Sequence, residues 1–169
     1  MKVGIYFNKN YLPGNLRLTA RIKERLSGFG IGCHNVCSPS ELDGTDILMV
    51  LGGDGTILTM AAECARRGIK IMGINYGHIG FLAEFEQEKL DDAVEILCSG
   101  KYSTERRSML SVDIGKKNYL ALNDLVIQRS TYGKRYSNTI NLSAMIDGSL
   151  VDNYLSDGII VSTPTGSTA

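Results

Sequence analysis

Five consecutive apolar residues, Ile47-Leu48-Met49-Val50-Leu51, run without a break into Gly52-Gly53-Asp54-Gly55-Thr56. A strand with one wet face alternates apolar and polar residues. An unbroken apolar strand has to be covered on both faces, which is the condition of a central strand in a parallel sheet. Beyond the glycines, Ile57, Met60, Ala61 and Cys64 recur at helical spacing in a stretch from Thr56 to Arg67, and Gly68 stands where that helix should stop. Strand, glycine turn and helix together make half of a crossover unit.

The same alternation extends over the first hundred residues. Val3, Ile5 and Phe7 alternate as in a strand, while Leu18, Ile22 and Leu26 form a helical stripe ending at Gly28. Ile69 to Ile74 is a short apolar strand. Leu90, Ala93, Val94 and Leu97 fit a helix closed by Gly100. Residues 1–100 therefore predict an α/β domain built on a Rossmann-like parallel sheet, with helices on its faces. After residue 100 the period changes. Leu110, Val112 and Ile114 alternate, Gly115-Lys116-Lys117-Asn118 reads as a turn, and Tyr119 to Gln128 reads as one strand. Ile140, Leu142, Ala144 and Ile146 alternate before Asp147-Gly148, a strong hairpin signal, and Ile159-Ile160-Val161 is a further strand. Residues 101–169 predict the beginning of a mostly antiparallel β domain. The last segment is a hydroxyl-rich glycine turn with no closing strand or helix, so the expectation is a C-terminally truncated chain.

Charge and composition narrow the partners. The chain has 169 residues, with Lys plus Arg at 18 and Asp plus Glu at 18. With no basic stripe, neither nucleic acid nor an anionic membrane is indicated. No apolar run approaches the ~20 residues of a membrane span, and the first residues turn polar too soon for a secretory signal. The four cysteines are scattered. Cys33-His34-x-x-Cys37 could open a metal site, but Cys64 and Cys98 lie far along the chain in helical patterns. The expectation is reduced thiols in a cytoplasmic protein, with no metal held directly by protein ligands.

Four motifs carry chemistry. The turn Gly52–Thr56 lies between a buried strand and a helix, where open α/β sheets bind ligands and helix N–H groups attract phosphate. It lacks the Gly-Lys-Ser/Thr of a P-loop and is not a dinucleotide GxGxxG. Phosphates repel a carboxylate, so Asp54 needs a role to stand there. It could hold magnesium, take a proton from an attacking hydroxyl, or, more plainly, cap the helix. The second motif, Gly73-Ile74-Asn75-Tyr76-Gly77-His78-Ile79-Gly80-Phe81-Leu82, follows the next strand and should reach the same sheet edge. It reads equally well as a connecting loop. His78 has no Ser or Cys partner placed by any pattern and is not assigned as a base. The third, Asn123-Asp124, interrupts an apolar strand, as a turn or as contacts to sugar hydroxyls. The fourth runs from Asp157 to Ala169 and packs hydroxyl residues around Pro164 and Gly166, a donor-rich turn suited to a phosphate or ribose.

In order and spacing, these four motifs resemble those of NAD kinases, across nearly the whole chain. The Gly-Gly-Asp-Gly-Thr turn is shared with diacylglycerol and sphingosine kinases and phosphofructokinases. Gly77-x-x-Gly80-Phe81-Leu82 and Asp157–Ala169 are more specific to NAD kinases. The resemblance implies transfer of the terminal phosphate of ATP or polyphosphate, with magnesium, to the adenosine 2′-hydroxyl of NAD. It implies Asp54 as general base, with Gly52, Gly53, Gly55 and Thr56 against the nucleotide and Leu58 and Phe81 lining the pocket. Asn123 and Asp124 would take ribose hydroxyls and adenine. Asp157, Thr165, Thr168 and Ala169 would take the adenosine moieties. It also implies a homo-oligomer, dimer or tetramer, in the full-length protein. Two departures stand out: Asp124 replaces the family's usual glutamate, and Leu155 stands where an arginine or lysine is common. The alternatives are a diacylglycerol-type lipid kinase, which should carry Gly-Thr-x-Asn-Asp after the third strand, and an inactive nucleotide-binding fragment.

Overall fold

The computed structural model describes residues 1–7, 12–75, 80–130 and 139–168. The chain divides into two compact units, Met1–Arg106 and Arg107–Ala169.

The first unit runs β1 (Lys2–Phe7), α1 (Leu12–Gly28), β2 (Gly32–Val36), β3 (Ile47–Leu51), α2 (Asp54–Arg67), β4 (Lys70–Asn75), β5 (Phe85–Glu86) and α3 (Leu90–Ser99). Its five strands form one sheet in the order β2-β1-β3-β4-β5, and every pairing is parallel. All five residues of β3 are buried. Ile47, Met49 and Leu51 pack in a core with Ile22 and Leu26 of α1 and Leu90, Ala93, Val94 and Leu97 of α3. Leu48 and Val50 pack in a second core with Ile57, Met60 and Cys64 of α2. The unbroken apolar run thus serves two cores, one on each face of the sheet. Gly68 at φ 67° and Gly100 at φ 68° close α2 and α3 in the left-handed conformation that glycine tolerates.

One local expectation is corrected, and one strand falls outside every expected pattern. Helix α2 begins at Asp54, not near Thr56, because the carbonyl of Gly53 already accepts the amides of Thr56 (2.9 Å) and Ile57 (3.3 Å). Strand β2 carries no sequence signal. Among the described residues it pairs with β1 alone, at the sheet edge, so Cys33, His34 and Asn35 need not alternate with apolar residues.

Among the described residues, the strands of the second unit form three two-stranded antiparallel ladders. β6 (Leu110–Ile114) pairs with β7 (Lys117–Ala121), and β9 (Ile140–Ile146) with β10 (Ser149–Ser156). β8 (Asp124–Gln128) pairs with β11 (Gly158–Ser162). Asp147 at φ 49° and Gly148 at φ 79° make the tight β9–β10 turn, the double positive φ that an Asp-Gly hairpin supplies. The strand expected over Tyr119–Gln128 is two strands. β7 belongs to one ladder and β8 to another, so the chain bends at Leu122-Asn123 to change partners.

Candidate functional site

In the sheet order β2-β1-β3-β4-β5 the direction of winding reverses between β1 and β3. Such a switch point leaves a crevice beyond the carboxyl ends of the strands. The Gly52–Thr56 turn emerges there. Gly52 donates its N–H to the carbonyl of Ile74 at 2.9 Å, tying the end of β3 to β4. Its φ is 153°, and a Cβ on it would stand 2.5 Å from Thr56 Oγ1. Gly53 is the N-cap of α2 and has no side chain to offer as a cap. The first turn of a helix leaves N–H groups without intrahelical acceptors, and those of α2 lie at this edge with the positive end of the helix dipole.

Asp54 is the first residue of α2 and is half-buried. Its carboxylate does not cap its own helix. Oδ2 accepts the backbone N–H of Phe81 at 2.8 Å, and Oδ1 accepts that of Leu82 at 3.1 Å. The first two sequence motifs are therefore joined through one side chain. Gly80 lies directly on that carboxyl group: a Cβ there would stand 2.7 Å from Asp54 Cγ. The ring of Phe81 is 61% exposed although its amide is engaged. Leu58 and Thr56 are half-buried on α2, and Gly55 is exposed at its start. Asn75, at the end of β4, is buried, its Oδ1 3.9 Å from where a Cβ on Gly53 would lie. Tyr76, Gly77, His78 and Ile79 of the second motif lie outside the described residues.

In the second unit the third and fourth motifs are likewise joined. The amide of Thr163 donates to the carbonyl of Asn123 at 2.8 Å, and its hydroxyl donates to the carbonyl of Leu122. That same hydroxyl oxygen accepts the N–H of Gly166 at 3.1 Å. Gly166 lies on the Asn123 backbone, where a Cβ would come within 2.6 Å of Asn123 Cα. Asn123 sits in the bend and Asp124 opens β8 opposite Ser162, both half-buried. Thr165 is buried, and its Oγ1 accepts from Arg107 Nη1 at 3.3 Å. Asp157, in the bend before β11, pairs with Arg129 Nε at 3.1 Å. Thr168 falls in the terminal 3-10 turn Gly166–Thr168, and Ala169 lies outside the described residues.

Sequence reasoning missed Gly80, Thr163 and Arg107. Gly80 and Thr163 stood inside quoted motifs, but nothing in one sequence says which motif touches which. Cys33 and His34 lie on β2, where His34 Nε2 is 3.2 Å from the Glu41 carbonyl and 3.2 Å from Thr45 Oγ1. Among the described residues no group of three or more His, Cys, Asp or Glu side chains gathers where an ion could sit.

The family model of the ATP-NAD kinase N-terminal domain matches residues 19–102, and that of the C-terminal domain matches residues 122–169. An NAD kinase of Caldanaerobacter subterraneus subsp. tengcongensis is 43% identical over 130 residues, 74% of this chain and 44% of the relative. One of Clostridium botulinum (strain Kyoto / Type A2) is 44% identical over 128 residues, 73% of this chain and 44% of the relative. The chain thus spans less than half the length of these curated relatives. Among solved structures, an NAD kinase from Archaeoglobus fulgidus in complex with ATP superposes with a TM-score of 0.76 at 27% identity, covering 100% of this chain and 63% of that one. Yeast NADH kinase complexed with NADH gives 0.78 at 20% identity, covering 100% and 59%, a likeness of fold.

Proposed function

The chain belongs to the NAD kinase family, and from that premise we propose that the protein transfers the terminal phosphate of ATP, or of polyphosphate, to the adenosine 2′-hydroxyl of NAD, giving NADP. The observation that carries this reading is the Asp54 carboxylate, held at the N-terminus of α2 by two backbone N–H groups. A carboxylate fixed among phosphate-binding amides is suited to a transfer in which an alcohol must lose its proton as it attacks phosphorus. Each oxygen accepts one amide and keeps a further lone pair for an incoming hydroxyl.

In this reading Asp54 takes the proton of the 2′-hydroxyl. The glycines of the turn, Gly52, Gly53 and Gly55, let phosphate oxygens approach the amides, and Thr56 stands beside them. ATP enters as its magnesium complex, the ion arriving with the substrate and offsetting the charge of its phosphates. Leu58 and Phe81 supply apolar contact. Asn123 and Asp124 take ribose hydroxyls and adenine, with Asp124 reaching about one methylene less far than a glutamate. Asp157, Thr165, Thr168 and Ala169 contact the adenosine moieties. Homo-oligomerisation and a cytoplasmic location belong to the same reading. The first is supported by the exposed Met145, Ile146, Leu150 and Leu155. A diacylglycerol-type kinase is disfavoured, because the sequence Gly77-His78-Ile79-Gly80-Phe81 stands where that group carries Gly-Thr-x-Asn-Asp.

The experiment is an assay of NADP formation from NAD and magnesium-ATP by the natural full-length protein, with Asp54→Asn beside it. Proton transfer by a positioned side chain contributes about 10²–10⁴-fold, so a fall of that size is expected. Undiminished turnover by the variant would refute Asp54 as base. Phosphorylation of diacylglycerol with no NADP formed would refute the choice of substrate.

A further inference from the structure

The Asp54 carboxylate is gripped at two points by consecutive amides. One hydrogen bond leaves a carboxylate free to swing about its terminal torsion. Two, at 2.8 Å from Phe81 and 3.1 Å from Leu82 on different oxygens, set both its position and its plane. Bonds to an ionised acceptor are also about twice as strong as neutral ones.

The residue before these donors must be small. A Cβ on Gly80 would lie 2.7 Å from Asp54 Cγ and 2.9 Å from Oδ2. It is the close approach of the carboxylate that demands glycine at residue 80. Neither side can easily give way. Asp54 sits on a helix start fixed by the Gly53–Thr56 hydrogen bond. The segment after Gly80 is fixed to the sheet: Glu84 Oε2 accepts the N–H of Gly73 at 2.9 Å, and Phe85 pairs with Ile74 in β5. A Cβ on Gly73 would in turn meet Ala83 Cα at 2.8 Å.

We propose that Gly80, with the amides of Phe81 and Leu82, is a positioning device for the Asp54 carboxylate, and that a side chain at residue 80 disables turnover by displacing that carboxylate. The inference rests on Asp54 acting as the base. Gly80 itself touches no substrate in this scheme and acts only through Asp54.

The test uses the natural full-length protein in five forms: wild type, Gly80→Ala, Asp54→Asn, the double variant of these two and, for hydrogen exchange, Asp54→Ala. A misplacement of about 1 Å at a reacting group costs on the order of 10²-fold. Gly80→Ala is therefore expected to lower kcat about 30–100-fold with the KM values for NAD and ATP within about 3-fold. The double variant is expected to match Asp54→Asn, since a residue acting only through Asp54 has nothing left to position. Independently of turnover, amide hydrogen exchange at Phe81 and Leu82 is expected to accelerate in Asp54→Ala while Ile74 keeps its protection. An inactive Asp54→Asn beside an unimpaired Gly80→Ala overturns the positioning role and leaves the base in place. A double variant well below Asp54→Asn overturns it as well. A fully active Asp54→Asn overturns the base reading instead, and the exchange data then still report whether the contact exists. Unchanged exchange at Phe81 and Leu82 overturns the contact itself, even should Gly80→Ala fail to fold.

Discussion

Thr163 holds Asn123 by its backbone: the Thr163 amide donates to the Asn123 carbonyl across 2.8 Å, while the Thr163 hydroxyl donates to Leu122 next door. Motifs separated by some forty positions in sequence are thereby one piece of structure. Thr163→Val keeps the shape and removes the hydroxyl, which leaves the Leu122 carbonyl and the Gly166 N–H without this partner. Such a loss costs about 1–3 kcal/mol. Chemical denaturation of the variant is expected to show it, together with weaker NAD binding by calorimetry.

Gly166→Ala acts on the same joint from the other side. The new Cβ would overlap the Asn123 backbone, within 2.6 Å of its Cα. Overpacking against backbone costs about 1–3 kcal/mol. NAD affinity is expected to fall more than stability, because the displaced residue is one assigned to the ligand. Equal affinity in calorimetry would remove Asn123 from that assignment.

Gly52→Ala meets two obstacles at once, a φ of 153° and the Thr56 hydroxyl 2.5 Å from the new Cβ. Strain at a glycine-favoured φ costs about 1–3 kcal/mol. The expected result is a lower melting temperature and weaker binding of ATP, with β3 and α2 still formed by circular dichroism.

Cys64 gives a prediction in pH. It is 1% exposed on the buried face of α2, and burial, aided by the neighbouring Glu63 charge, pushes its thiol up to about 11 from 9.0. Between those values the folded protein keeps a proton that the unfolded chain releases. Stability is therefore undiminished by this group below pH 9 and falls as pH rises from about 9 towards about 11, by up to about 3 kcal/mol. Denaturation midpoints of wild type and Cys64→Ala measured across that range should converge as pH rises. With Ellman's reagent at neutral pH the exposed Cys37 should react first and Cys64 only on unfolding.

The sheet was legible wherever burial was two-sided or periodic. Ile47–Leu51 announced a covered strand because every residue in it is buried, and the stripe Ile57, Met60, Ala61 and Cys64 is the buried face of α2. Legibility failed where a strand has one partner and mixed exposure, as in β2, and where a strand changes partners, as at Leu122-Asn123. Asp54 was conspicuous in the sequence, as a carboxylate inside a glycine turn. Its grip by Phe81 and Leu82 was not, because backbone amides carry no sequence signature and the contact spans 27 and 28 positions.

The ladders of the second unit have a practical corollary. Each has two strands among the described residues, and the β9–β10 pair displays Met145, Ile146, Leu150, Val151 and Leu155, all more than half exposed. Open strand edges flanked by greasy side chains template further strands. A concentrated solution of this chain should therefore cloud with time, and added denaturant at sub-unfolding levels or charged substitutions at Leu150 and Leu155 should keep it clear longer.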